Sequence, residues 1–291
     1  TKNLKVVGGL RFDNFVYDYK NKLDSNAYSG VPDSKDIFTK ITPKLGLTYD
    51  LKNHKGVYAN YSQGFVPPQV GELYRGVKVP ELGPATYNNY EFGGWAGFAK
   101  NKGRIEASVY RMDGTNEIIS VRKDDGSTEK ENAGKTRHQG IEYNIKYQII
   151  KGLSLRFGGS NANHFFVDYT DSGTDYSNNR MPGAPAWIAN AQITFKPQKF
   201  AKGFRISLEW QHLDKYYMDA KNTKEYEGYN VFNLRMGYAY KSFELWTNIM
   251  NLSNELYATN ASASAWGSSY TSGEPINVNI GIAYKFKKKE K

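Results

Sequence analysis

Alternation of apolar and polar residues with period two runs through this chain nearly from end to end, and it restricts the fold to one built of β-strands. In "RIEASVYR", Ile105, Ala107 and Val109 alternate with Arg104, Glu106, Ser108 and Tyr110. "GIEYNIKYQI" sets Ile141, Tyr143, Ile145, Tyr147 and Ile149 against Glu142, Asn144, Lys146 and Gln148. About twelve such segments begin near residues 4, 38, 56, 87, 104, 138, 153, 186, 204, 229, 243 and 276, and helical periodicity is not convincing anywhere. Many of them run for 9 to 12 residues or more. Strands of a soluble sandwich usually stop at about 5–6 residues, whereas about 9–11 are needed to cross a bilayer at a tilt.

The connections alternate as well. Long ones span roughly 20–37, 66–86, 168–185, 214–228 and 254–275, with a smaller one around "RKDDGSTEK". Between them lie the short turns "LKNHK", "KNKG", "IKG", "PQKFAKG" and "YKS". Antiparallel hairpins with short turns at one end, long loops at the other and an even strand number are the pattern of an outer-membrane barrel. If the apolar set meets lipid, then Lys5, Arg11, Asp13, Lys44, Glu91, Arg104, Glu106, Glu142, Lys146, Arg156, Arg205, Glu209 and Arg235 point inward. A charge facing lipid at mid-bilayer costs about 2–4 kcal/mol, so this sorting is strongly enforced. It also explains a mean hydropathy of −0.67 in a chain that is 15% aromatic, since only one face of each strand has to be apolar. A soluble barrel with an apolar interior would require the opposite sorting.

The net charge of +10 raises nucleic acid as a partner, but Lys and Arg are spread along the chain and only "KFKKKEK" forms a run, so none is expected. Cysteine is absent, which removes disulfide scaffolds and thiolate metal sites. No apolar span reaches 18 residues. The opening "TKNLKVVGG" carries no leader pattern, so the chain is read as a mature or truncated piece or as one made without a leader.

Several stretches, in this order and spacing, carry a family likeness: "PKLGLTYDL…GVYANYSQGFVPPQVGELY" (43–74), "YNNYEFGG" (87–94), "ASVYRMDGTNEI" (107–118), "NAGKTRHQGIE" (132–142), "MPGAPAW" (181–187), "NIMNLSNELYA" (248–258) and the final strand. The chain resembles the C-terminal half of TonB-dependent outer-membrane receptors, the 22-stranded plugged transporters of iron chelates. The resemblance implies one β-barrel domain over 1–291 with no plug, either part of the larger barrel or a smaller closed barrel of about twelve strands. It implies energy-coupled uptake of a ferric siderophore or similar metal chelate, with a passive pore or an adhesin as the alternative and a soluble β-rich module as a third. The implied partners are outer-membrane lipid, the barrel-assembly machinery, a small-molecule metal chelate and a TonB-type coupling protein acting through a missing plug. Ala85 departs from the pattern, because an acid commonly stands there in relatives.

Site residues follow from the resemblance. Aromatic and basic residues of the outer loops suit an anionic chelate: Tyr74, Arg75, Lys78, Arg180, Tyr216, Tyr217, Trp266 and Tyr270. Glu91 and Glu142 stand at motif positions that pair with plug arginines. Asn279, Gly281, Tyr284 and Phe286 match the signal read by the assembly machinery, while the tail "KKKEK" has no counterpart. His54, His138, His164 and His212 are far apart in sequence with no metal spacing, and they are expected to be solvated or structural. No catalytic constellation, metal site or cofactor is expected.

Overall fold

The computed structural model describes residues 3–23, 31–74, 80–122, 128–171, 173–264 and 267–286. The first half runs β1 (Leu4–Tyr19), β2 (Ser34–Leu51), β3 (Lys55–Val66), α1 (Val70–Leu73), β4 (Ala85–Phe98), β5 (Gly103–Arg122) and β6 (Thr128–Ile150). β7 (Leu153–Asp168), β8 (Thr170–Asp171), β9 (Thr174–Asp175), β10 (Trp187–Phe195), β11 (Phe204–Leu213), β12 (Tyr216–Tyr217) and β13 (Glu225–Tyr226) follow. The chain ends with β14 (Tyr229–Tyr240), β15 (Phe243–Met250), β16 (Ala258–Ser264), β17 (Gly267–Ser272) and β18 (Asn277–Tyr284). Twelve of these strands form one antiparallel sheet in the order β1-β2-β3-β4-β5-β6-β7-β10-β11-β14-β15-β18, each hydrogen-bonded to its sequence neighbours in that series. The other six form three small ribbons in the long loops.

The sheet is open. Among the described residues β1 pairs only with β2 and β18 only with β15, so the smaller closed barrel is not formed. A protein that leaves two long strand edges bare exposes unpaired N–H and C=O groups that call for further strands.

The pairing register carries one parity from edge to edge. Leu10↔Pro43, Leu45↔Tyr61, Tyr61↔Tyr90 and Val109↔Ile141 belong to one face, and so do Ile193↔Leu208, Leu208↔Leu234 and Leu245↔Ile282. On that face large apolar side chains stand in the open, Leu10 at 78%, Ile280 at 70% and Ile282 at 74% exposed. All thirteen charged residues expected inside have the other parity, as in Arg104↔Lys146, Lys146↔Arg156 and Glu209↔Asn233.

Aromatic residues bound the apolar face at both ends. Toward the long loops, Tyr61 packs on Tyr90, and Trp187 donates through Nε1 to Tyr143 Oη at 2.7 Å and packs edge-on against Trp210. Toward the short turns, Phe98 packs on Tyr147, and Phe243, Tyr284 and Phe286 form a chain of ring contacts. Tyr90 to Phe98 covers about 26 Å along β4 at about 3.3 Å per residue, close to the ~25 Å apolar band of such barrels. Beginning level with Tyr90, Arg111 and Arg137 both bind Asp113 on the same outer face, an ion-pair network expected outside the hydrocarbon. β5 and β6, with 20 and 23 residues, therefore continue well beyond the membrane.

Glycines make room for rings on the inner face. A Cβ on Gly281 would lie 2.3 Å from Cζ2 of Trp246, and one on Gly56 would lie 2.2 Å from Cζ2 of Trp95. Gly281→Ala is expected to cost about 1–3 kcal/mol through this overpacking, read as a lowered denaturant midpoint of the folded protein. Trp246→Ala in the same chain should recover most of the loss.

Candidate functional site

At the long-loop end the connections fold onto one another and onto the inner face. In the first group Val31, Phe38, Leu73, Tyr74 and Leu82 form a buried cluster, with Phe15, Tyr17 and Tyr19 packed against it. Gln69 and Glu72 form a reciprocal capping box on the single-turn α1, which sets Leu73 and Tyr74 into this cluster. The Tyr74 ring stacks on Tyr19 at 4.5 Å, and its hydroxyl donates to Asp36 Oδ2 at 2.5 Å. Burial, then the Asp36 carboxylate, pushes the Tyr74 phenol well above its ordinary range. Asn132 fastens the same loop: its Oδ1 accepts from Gly83 N at 2.6 Å, and its Nδ2 donates to Gly83 O and Asn116 O.

The second group laces three loops together. Asn222 accepts from Arg180 N and donates to Arg180 O, both at 2.8 Å, while Asn179 donates to Ala220 O. Tyr216, Met218 and Ala261 form a buried core. Tyr216 Oη accepts from Ala261 N, and Tyr226 Oη both accepts from Ala258 N at 2.8 Å and donates to Ala258 O at 3.1 Å. Hydrogen bonds thus tie the described residues of loops 169–186, 214–228 and 251–276 to one another.

Asp219 holds the tip of the middle loop. Its carboxylate accepts from Thr223 N at 2.9 Å, from Lys224 N at 3.2 Å and from the Thr223 hydroxyl. Partial burial pushes its pKa up, but these hydrogen bonds outweigh it and the net direction is down. A depressed carboxylate stabilises the fold above its unfolded pKa of about 3.9 and loses that contribution as pH falls through the lower folded value. Pepsin nicking of loop 214–228 should therefore rise sharply below about pH 4, and Asp219→Asn should be nicked readily at pH 5 with little further change.

The ligand candidates divide by position. Tyr74 and Tyr216 are buried and engaged in packing the loops. Arg180 is exposed, and its guanidinium has no hydrogen-bond or ion-pair partner among the described residues; Tyr217 is half-buried, and Tyr270 is exposed beside Tyr226. Arg75, Lys78 and Trp266 lie outside the described residues, as does the tail 287–291.

Lower on the inner face, charges are only partly matched. Tyr58 donates to Glu91 at 2.6 Å, Arg235 to Glu209 at 2.8 Å, and Arg205 pairs with Glu244 at 2.5 Å. Glu142 has neither hydrogen bond nor ion pair among the described residues. The same is true of Lys146 and Arg156, although they stand directly across from each other. Like charges placed opposite one another on a sheet are destabilising unless something between them is anionic.

Separation in sequence hid one constellation. The register sets His138 opposite His164 on the inner face, with their Nδ1 atoms 2.7 Å apart. In register the pair stands next to the Arg137–Asp113 pair, on the opposite face of the sheet. The signal available in sequence was parity alone, since each His sits on the polar side of a long strand.

A polar, half-charged inner wall under interlocked loops is common to several barrel classes. The family model "TonB dependent receptor-like, beta-barrel" matches residues 1–252. The chain belongs to this family. Among curated proteins the receptor is 23% identical over 298 residues to "Probable TonB-dependent siderophore receptor PiuA" of Acinetobacter baumannii, covering 96% of this chain and 38% of that protein. It is 23% identical to the "Ferric-pyoverdine 358 receptor" of Pseudomonas putida, over 98% of this chain and 34% of that one. The crystal structure of the siderophore receptor PiuA superposes with a TM-score of 0.78 at 20% identity, covering 98% of this chain and 41% of the other. The chain thus spans little more than a third of the length of these relatives. As a member of this family the chain resides in the outer membrane.

Proposed function

We propose that this receptor takes up a ferric siderophore or a comparable metal chelate by energy-coupled transport. The observation that carries it is the interlocked set of three outer loops, which holds Arg180, Tyr217 and Tyr270 on a common framework above a charged inner wall. A cation with nearby rings suits an anionic, aromatic-bearing chelate, and its names for relatives, a siderophore receptor and a ferric-pyoverdine receptor, point the same way. Among the described residues Glu142, Lys146 and Arg156 have no hydrogen-bond or ion-pair partner, and Lys146 stands opposite Arg156, which supports a plug with complementary charges inside the completed barrel. Glu91 and Glu142 are the proposed acidic contacts of that plug, a TonB-type protein is the proposed source of force, and one barrel domain is proposed for 1–291. Asn279, Gly281, Tyr284 and Phe286 are the proposed signal for the assembly machinery. The relatives are named as receptors, and no enzymatic step is proposed.

The test is binding of ferric catecholate and ferric hydroxamate chelates to the complete gene product in detergent. At least one class should bind, and Arg180→Gln should weaken that chelate at least tenfold without altering the fold. Binding by neither class, or full affinity in Arg180→Gln, would contradict the assignment.

A further inference from the structure

We propose that His138, His164 and Met181 form a copper(I) site at the extracellular end of the inner wall. The two imidazoles present their Nδ1 atoms to one another at 2.7 Å, with ring centroids 5.0 Å apart. They open into a cavity of about 280 Å³ that Met181 and Pro182 also line, and Met181 N donates to His164 O at 2.9 Å, which fixes that residue beside the pair. Imidazole suits copper and zinc alike, while a thioether selects for the soft monovalent ion.

Three further features favour that ion. Among the described residues no group of three His, Cys, Asp or Glu side chains comes together, so the site lacks the carboxylate or thiolate that usually completes a zinc centre. Arg180, whose backbone bridges to the outward Phe165 and whose charge still acts on His164, adds positive charge that repels a divalent ion more than a monovalent one. Behind His138, its Nε2 lies 3.3 Å from Thr136 Oγ1, and Thr136 in turn donates to Glu117. This carboxylate–hydroxyl–imidazole series favours the His138 tautomer with its proton on Nε2, which turns the Nδ1 lone pair toward His164 and the cavity. A bulge at Asn116, which has φ 57°, turns Glu117 toward that series.

With that tautomer, His164 Nδ1–H donates to His138 Nδ1 across the 2.7 Å contact. Binding moves the His164 proton from Nδ1 to Nε2, so both rings stay neutral and no proton is released. At about 2.0 Å per metal–nitrogen bond the two Nδ1 atoms must separate by some tenths of an ångström, which small ring rotations supply.

This inference goes beyond chelate uptake and does not depend on it. The complete gene product in detergent is titrated with copper(I) against a chromophoric competitor under reductant, and separately with zinc(II). One copper(I) should bind per chain, at least tenfold more tightly than zinc(II). His164→Gln should weaken copper(I) at least tenfold, and Met181→Leu should weaken it and remove the sulfur scatterer from the X-ray absorption spectrum. Heat-modifiable gel migration of each variant monitors folding. Absence of binding, wild-type affinity in His164→Gln, or an unchanged sulfur signal in Met181→Leu would overturn the proposal.

Discussion

Leu208→Arg should destabilise the folded receptor by about 2–4 kcal/mol, whereas Gln211→Arg, three residues along the same strand, should stay within about 0.5 kcal/mol. Leu208 is the outward neighbour of Ile193 and Leu234 in the middle of β11, 40% exposed to what is lipid in the outer membrane. A guanidinium there has no water to solvate it and, among the described residues, no carboxylate on its own face within the apolar band. Gln211 has the opposite parity, exposed on the inner face between Asn190 and Val231, where a charged head can be hydrated. Denaturant titration of the protein refolded into lipid vesicles reads both values. Equal effects of the two substitutions would mean that the faces have been assigned wrongly.

Tyr226→Phe is the second change with a large expected effect, because one hydroxyl serves two backbone groups. Removing it leaves Ala258 N–H and C=O without the partners they have at 2.8 and 3.1 Å. A buried polar group left unsatisfied costs about 1–3 kcal/mol, so the lacing between loops 214–228 and 251–276 should fail while the membrane sheet stays intact. Proteolytic nicking in both loops should rise by an order of magnitude and chelate affinity should fall at least tenfold, with no change in the main unfolding transition. Tyr216→Phe, which loses the single bond from Ala261 N at 2.8 Å, should show the same pattern at reduced size.

Legibility in the sequence followed the physics of each element. Period-two alternation with charges on one parity and Leu10, Val109, Leu208 or Ile280 on the other is forced by lipid, and the twelve strands and their faces could be read from it. Openness of the sheet could not, since closure depends on what pairs with β1 and β18. The fate of the aromatic candidates was also hidden. Tyr74, Tyr216 and Tyr217 look alike in sequence, but whether a ring packs a loop or faces water depends on contacts such as Tyr74 with Tyr19 and Tyr216 with Ala261. His138 and His164 meet only because the β6–β7 register sets them opposite each other, a long-range fact that no local spacing encodes. Gly281 has a packing reason under Trp246 that its place in the final-strand pattern does not reveal.

Energy-coupled passage of a chelate is measured most directly by iron accumulation in cells that carry the gene as their sole receptor, supplied with a radiolabelled ferric chelate that the purified protein binds. Accumulation should fall to background when the coupling protein is deleted or the proton gradient is collapsed, while binding to the cell surface remains. Accumulation that continues unchanged without the coupling protein would show a passive pore and contradict the reading of this barrel as a coupled receptor.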